Sequence, residues 1–124
     1  MLELRALAVL AATVIAGCSL SPVSATRCAV ERSPRGGLQL RATIDNRSSK
    51  ALHYAGVIVT GGSAFAEFEF HPRLGPWQAR DGLVGTSLEP QPAHPPGIGA
   101  VPEADCWARI TEYDDGSNWS TSPL

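Results

Sequence analysis

The sequence predicts an all-β fold, an antiparallel sandwich of about seven short strands behind a cleaved export signal. Three observations carry that reading. The ten prolines and twelve glycines fall between the apolar segments rather than inside them, which disfavours helices and marks turns. Two segments, 38–45 and 64–70, alternate apolar and polar residues with the period of a half-buried strand. The last patterned stretch, 106–119, holds Asp114-Asp115-Gly116 between two strand-like arms, the composition of a three-residue hairpin loop with glycine at positive φ.

Residues 1–17 lie outside the expected fold. A short charged start, Met1 to Arg5, leads into the apolar run Ala6 to Gly17, long enough for a signal-peptide core and too short to span a bilayer. Two cleavage readings compete. Ile15-Ala16-Gly17-Cys18 resembles the lipobox of bacterial lipoproteins, in which the cysteine becomes the acylated N-terminus and the acyl chains supply a membrane anchor. The alternative is cleavage after Val23-Ser24-Ala25, a small-x-small site that releases a soluble secreted or periplasmic protein. On the first reading, residues 18–27 are a linker and 28–124 the sandwich domain; on the second, the signal extends to residue 25.

Of the three cysteines, Cys18 is lipidated or discarded, which leaves Cys28 and Cys106 to pair in an oxidising compartment. A bridge closing a loop of roughly 80 residues is worth about 4–5 kcal/mol in the chain-entropy model, comparable to the net stability of a small domain. Isolated cysteines without close Cys or His partners lack the spacing of a metal site. The roughly 100 residues left after cleavage suffice for one domain with one core. With 44% hydrophobic residues and a formal charge of −2, the chain has neither a basic stripe for nucleic acid nor an acidic tail.

Along the chain, Cys28 to Arg32 is a short first strand before the turn Pro34-Arg35-Gly36-Gly37. In Leu38 to Asp45 the even positions Leu38, Leu40, Ala42 and Ile44 face a core. Asn46 to Lys50 turns the chain. Ala51 to Thr60 becomes apolar on both faces and reads as a central strand. Ala64 to Phe70 sets Ala66, Phe68 and Phe70 against Glu67 and Glu69. Residues 77–88 carry only weak strand patterns, around Trp77 to Ala79 and Leu83 to Leu88. Glu89 to Asp105 holds five prolines and is expected to be an extended crossover loop rather than an interior strand. In the closing hairpin Tyr113 faces Ser117, Glu112 faces Asn118 and Thr111 faces Trp119. Strand count, turn spacing and the long crossover together give an immunoglobulin-like sandwich, with an open barrel as the runner-up.

The turn Asn46-x-Ser48-x-Lys50, the proline-rich crossover and the ending Tyr113-Asp-Asp-Gly-Ser-Asn-Trp119 resemble small exported bacterial proteins of unassigned function that close with an aromatic-x-Asp-Gly-Ser/Thr-x-Trp hairpin. That resemblance implies an immunoglobulin-like sandwich and no known activity.

No residue pattern points to catalysis, a metal or a cofactor. There is no Gly-x-Ser-x-Gly, and Gly61-Gly62-Ser63 reads as a turn. His53, His71 and His94 are dispersed and lack ligand spacing. Glu67 and Glu69, about 7 Å apart on one strand face, read as a solvated surface without a second catalytic element. The binding candidates are aromatic: Trp107, Tyr113 and Trp119 on one hairpin face with Arg109, able to stack on a sugar ring or a peptide, or else to pack. Asn46-Arg-Ser48 and Asn118-Trp-Ser120 match the N-glycosylation acceptor pattern. The functional expectation is a non-catalytic, exported, lipid-anchored module at the cell envelope, binding a protein or carbohydrate or serving a structural role. The alternative is a secreted enzyme or protease inhibitor acting through its loops, with 90–102 the inhibitory loop.

Overall fold

The computed structural model describes residues 21–61, 64–87 and 99–121. Cys18, Ser63, His94 and most of the proline-rich connection lie outside these. Seven strands form among the described residues: β1 (Val23–Arg32), β2 (Leu38–Asn46), β3 (Leu52–Gly61), β4 (Ala64–Phe70), β5 (Ala79–Ser87), β6 (Val101–Tyr113) and β7 (Asn118–Ser120). Every pairing is antiparallel, in the order β1-β2-β5-β4-β3-β6-β7. Among these residues no helix is long and apolar enough to cross a membrane.

The all-β expectation holds at that level; the two stacked sheets of an immunoglobulin-like sandwich do not appear. β1 also pairs with β6, and six strands close into an antiparallel barrel with β7 added along β6. The physical reason is the length of β6. At 13 residues it lies along β3 by one edge, while its other edge serves β1 in its first part and β7 in its last. Closure pairs most of the sheet edges that a sandwich must protect by other means, leaving the first half of β1 unpaired toward β6 and β7 as an outer strand.

Three boundaries differ from the sequence reading. Residues 23–27, read as linker, form the first half of β1, where Val23 to Thr26 pair with β2 from Asn46 to Thr43. Within 77–88 the described residues make a single strand, β5, over Ala79–Ser87, which pairs with both β2 and β4, while Trp77 lies in the turn before it. Residues 101–105, read as crossover, begin β6. Pro102 is tolerated there because β3 pairing starts only at Asp105, and the β1 register is broken between Cys28 and Val30.

Strand alternation places the core as expected. Leu40, Ala42 and Ile44 on β2, Ala55, Val57 and Val59 on β3, and Phe68 and Phe70 on β4 all point inward and are buried. Phe70 fits because its neighbour on β5 is Gly85, where an added Cβ would meet the ring at 2.6 Å. Cys28 and Cys106 form a disulfide with Cα atoms 6.3 Å apart, tying β1 to β6 next to their pairing at Ala104. The hairpin has the expected register, with Thr111 opposite Trp119 and Glu112 opposite Asn118, and Gly116 at φ 86°. Asn46 is fully buried, its amide donating to the carbonyls of Lys50 and Gly75, so its sequon is closed to a glycan in the folded chain.

Candidate functional site

A groove of about 420 Å³ opens in the barrel wall between β1 and β6. It exists because the two strands part: below Cys28 they pair, and above it no ladder joins them among the described residues. Val23 and Ala25 form one wall, Cys106 and Ala108 the other, and the indoles of Trp107 and Trp119 flank it, with Ser21 and Arg47 at the rim. Both tryptophans are half-buried. The parted edges carry backbone groups of an extended strand, and the carbonyl oxygen of Ala25 lies 3.5 Å from Cys106 Sγ across the gap. Such a slot can accept an extended chain, with indole faces for stacking and strand edges for hydrogen bonds.

The aromatic face expected on the hairpin is divided. Between Gly56↔Ile110 and Val57↔Ala108, β6 carries one extra residue, Arg109. This bulge reverses the sidedness of β6, so Trp107 and Arg109 lie outside while Thr111 and Tyr113 turn into the barrel, 0% and 4% exposed. Tyr113 is therefore packing and not part of the groove. Its hydroxyl and that of Thr111 are buried without a hydrogen-bond partner among the described residues, and Lys50 Nζ stands 5.8 Å from the Tyr113 ring centre.

Outside the barrel, Arg109 is engaged by Glu67, which raises the guanidinium pKa further through their hydrogen bonds. Next to this pair, Tyr54 donates to Glu69 Oε2 at 3.4 Å, His71 Nε2 lies 3.3 Å from Glu69 Oε1, and the Tyr54 and His71 rings meet edge to face at 5.4 Å. Burial first, then the charges of Glu69 and Glu67, push the Tyr54 phenol above its ordinary value. The structure thus brings Glu69 and His71 together with a tyrosine that sequence reasoning had not singled out. His53 stands apart, paired with Asp114 at 3.1 Å. The Glu69–His71 pair sits on an open strand face, with His71 largely exposed, and Glu67 is committed to Arg109. Among the described residues no three His, Cys, Asp or Glu side chains are placed to hold a metal ion.

One further side chain escaped the sequence reading. Trp77 is 68% exposed and holds a φ of 61°. It occupies the third position of Gly75-Pro76-Trp77-Gln78, closed by Gln78 N–H donating to the Gly75 carbonyl, the pattern of a type II turn in which glycine usually fills that place. The turn is clamped. Asn46 Nδ2 donates to the Gly75 carbonyl at 2.9 Å, Gly75 N–H to Gln78 Oε1 at 2.8 Å, and Trp77 N–H to the Ser48 carbonyl at 3.2 Å. The signal available in the sequence was Pro76 followed by a residue poorly suited to positive φ. It identifies a turn without saying that the indole faces water.

No protein-family model, curated protein or solved structure matches this chain.

Proposed function

We propose that the protein is an exported, non-catalytic binding module of the cell envelope, anchored by lipid at Cys18, which takes an extended ligand in the groove between β1 and β6. The observation that carries the reading is that groove: two indoles beside parted strand edges, held open just above a disulfide. The disulfide supports an oxidising, exported setting. The lipobox-like Ile15-Ala16-Gly17-Cys18 supports the anchor. The ligand classes suited to the slot are a peptide bound by strand addition and a glycan stacked on Trp107 and Trp119. The likeness of the closing hairpin to small exported bacterial proteins agrees with this role.

Intact mass of the mature protein, reduced and non-reduced, tests the export half. An acylated chain beginning at Cys18 with one disulfide is expected, and Cys18→Ser must abolish both the added mass and membrane association. Unmodified mass in the wild type overturns the anchor. The ligand half is read from indole emission during titration with peptidoglycan-derived glycan fragments and, separately, with extended peptides. A saturable shift with one of these, lost in Trp107→Ala/Trp119→Ala, is expected; no shift with either overturns the groove as the binding site.

A further inference from the structure

We infer that Trp77 is a second membrane contact, seated in the headgroup layer of the bilayer to which Cys18 is anchored, so that the barrel stands with its N-terminal end against the membrane. The inference rests on the lipid-anchored reading above.

Three observations lead to it. Cys18 is three positions before Ser21, and a chain of that length reaches at most about 10–11 Å. The end of the barrel where β1 starts is therefore held close to the surface of any bilayer that carries the lipid. Trp77 belongs to that end. Its N–H bonds the Ser48 carbonyl, and the adjacent Arg47 N–H bonds the carbonyl of Pro22, so a short path of two hydrogen bonds joins the indole's turn to the chain entry.

The indole is also displayed rather than packed. It is 68% exposed at a backbone conformation that side chains rarely adopt, and the turn is held by Asn46 from inside the fold and by the exposed Gln78 from outside. An exposed, apolar ring with a single N–H donor is the side chain that settles at membrane–water interfaces. At this end Arg47 pairs with Asp45 and Lys50 with Asp115, Asp114 meets His53, and the exposed Arg73 and Arg80 are in no ion pair among the described residues. Attraction of Arg73 and Arg80 to anionic lipid is the competing cause of contact at this face, and insertion of Trp77 is told from it by its independence of anionic lipid.

The experiment uses the full-length protein purified from its membrane fraction and reconstituted in phosphatidylcholine vesicles containing a lipid with a nitroxide quencher near the headgroup. Intact mass is recorded first, because an unacylated Cys18 fails the anchor reading and this inference with it. In acylated protein, indole emission is expected to be quenched, most of the quenching is lost in Trp77→Gly, and it is unchanged when part of the phosphatidylcholine is replaced by phosphatidylglycerol. Glycine is at home at positive φ, so the variant folds, which circular dichroism checks. Acylated protein that shows no quenching, or equal quenching in Trp77→Gly, overturns the inference while leaving the anchor intact. So does quenching that requires phosphatidylglycerol. A photo-crosslinker placed at position 77 in cells is expected to yield lipid adducts; protein adducts instead would assign this face to a protein partner and overturn it.

Discussion

The guanidinium of Arg109 on β6 donates two hydrogen bonds, of 2.6 and 2.8 Å, to the carboxylate of Glu67 on β4, passing over Gly56 of the intervening β3. The side chains are 27% and 17% exposed, so this is a partly sheltered bidentate pair rather than a loose surface contact. A Cβ on residue 56 would meet Glu67 Oε2 and Ile110 Cγ2, each at 2.8 Å. Arg109→Ala and Glu67→Ala are each expected to cost about 1–3 kcal/mol. A double-mutant cycle by urea denaturation should give a coupling of about 0.5–3 kcal/mol. Gly56→Ala should lower stability by about 1–3 kcal/mol through overpacking, and less in an Arg109→Ala background, where Glu67 is free to move. Additivity of these changes would show that the three residues do not act together.

Thr111 and Tyr113 each bury a hydroxyl without a partner among the described residues. Removing an unpaired buried hydroxyl recovers its desolvation cost, so Thr111→Val and Tyr113→Phe are expected to leave stability unchanged or raise it by about 1 kcal/mol. A loss above about 1 kcal/mol in denaturant midpoints would reveal an interaction at that hydroxyl. Neither change should alter ligand titrations, because both residues face the core rather than the groove.

Cys28 and Cys106 close a loop with a sequence separation of 78, and among the described residues only two ladder pairs join β1 to β6. The disulfide therefore serves as a main fastening of the barrel seam. Cys28→Ser/Cys106→Ser is expected to lose about 2–5 kcal/mol. Hydrogen exchange should rise most at β1 and the first part of β6. Uniform exchange across all strands would contradict that local role.

Two exposed carboxyls are held below their ordinary pKa: Glu31 by hydrogen bonds from Arg41 and then Gln39, and Asp115 by the Ser117 hydroxyl and then its backbone N–H. For such groups the unfolded chain takes up protons at a higher pH than the folded one. Their stabilisation is complete above the ordinary carboxylate range and is lost as pH falls through the depressed folded values. Urea midpoints should therefore decline below about pH 4.5 with a shallow slope, since both sites face solvent. Glu31→Gln and Asp115→Asn should flatten the decline; an unchanged slope in the double variant would place the acid sensitivity elsewhere.

Trp77 at φ 61° carries backbone strain of about 1 kcal/mol that its exposed ring does not offset by burial. Trp77→Gly is expected to raise stability by up to about 1 kcal/mol, the gain being limited by the greater freedom of glycine in the unfolded chain. Thermal unfolding checks it. A clear loss of stability would mean that the indole packs in solution.

The candidate site was only partly legible. Trp107, Arg109 and Trp119 stand out in the sequence, and two of them, Trp107 and Trp119, flank the groove. Tyr113 was grouped with them because residues 107, 109, 111 and 113 share one parity in an unbroken strand. One extra residue at Arg109 breaks that parity. A bulge depends on how β6 fits β3, and the alternation within β6 does not record it. The groove was equally hidden, since it comes from the parting of two strands far apart in the chain.

What the sequence by itself determined was local. Alternation at Leu38 to Ile44 and Ala66 to Phe70 chose strands and their inward faces, and Asp114-Asp115-Gly116 set the hairpin and its register. The oxidised pair Cys28–Cys106 is what the three cysteines leave once Cys18 is set aside with the export signal. Only the tertiary structure decided that the strands close into a barrel, that Arg109 crosses Gly56 to reach Glu67, and that Trp77 faces water in a clamped turn. These depend on partners remote in the chain. Side-chain period and turn chemistry act over a few residues, whereas closure, bulge and ion pair arise when the long β6 must satisfy β3, β1 and β7 at once.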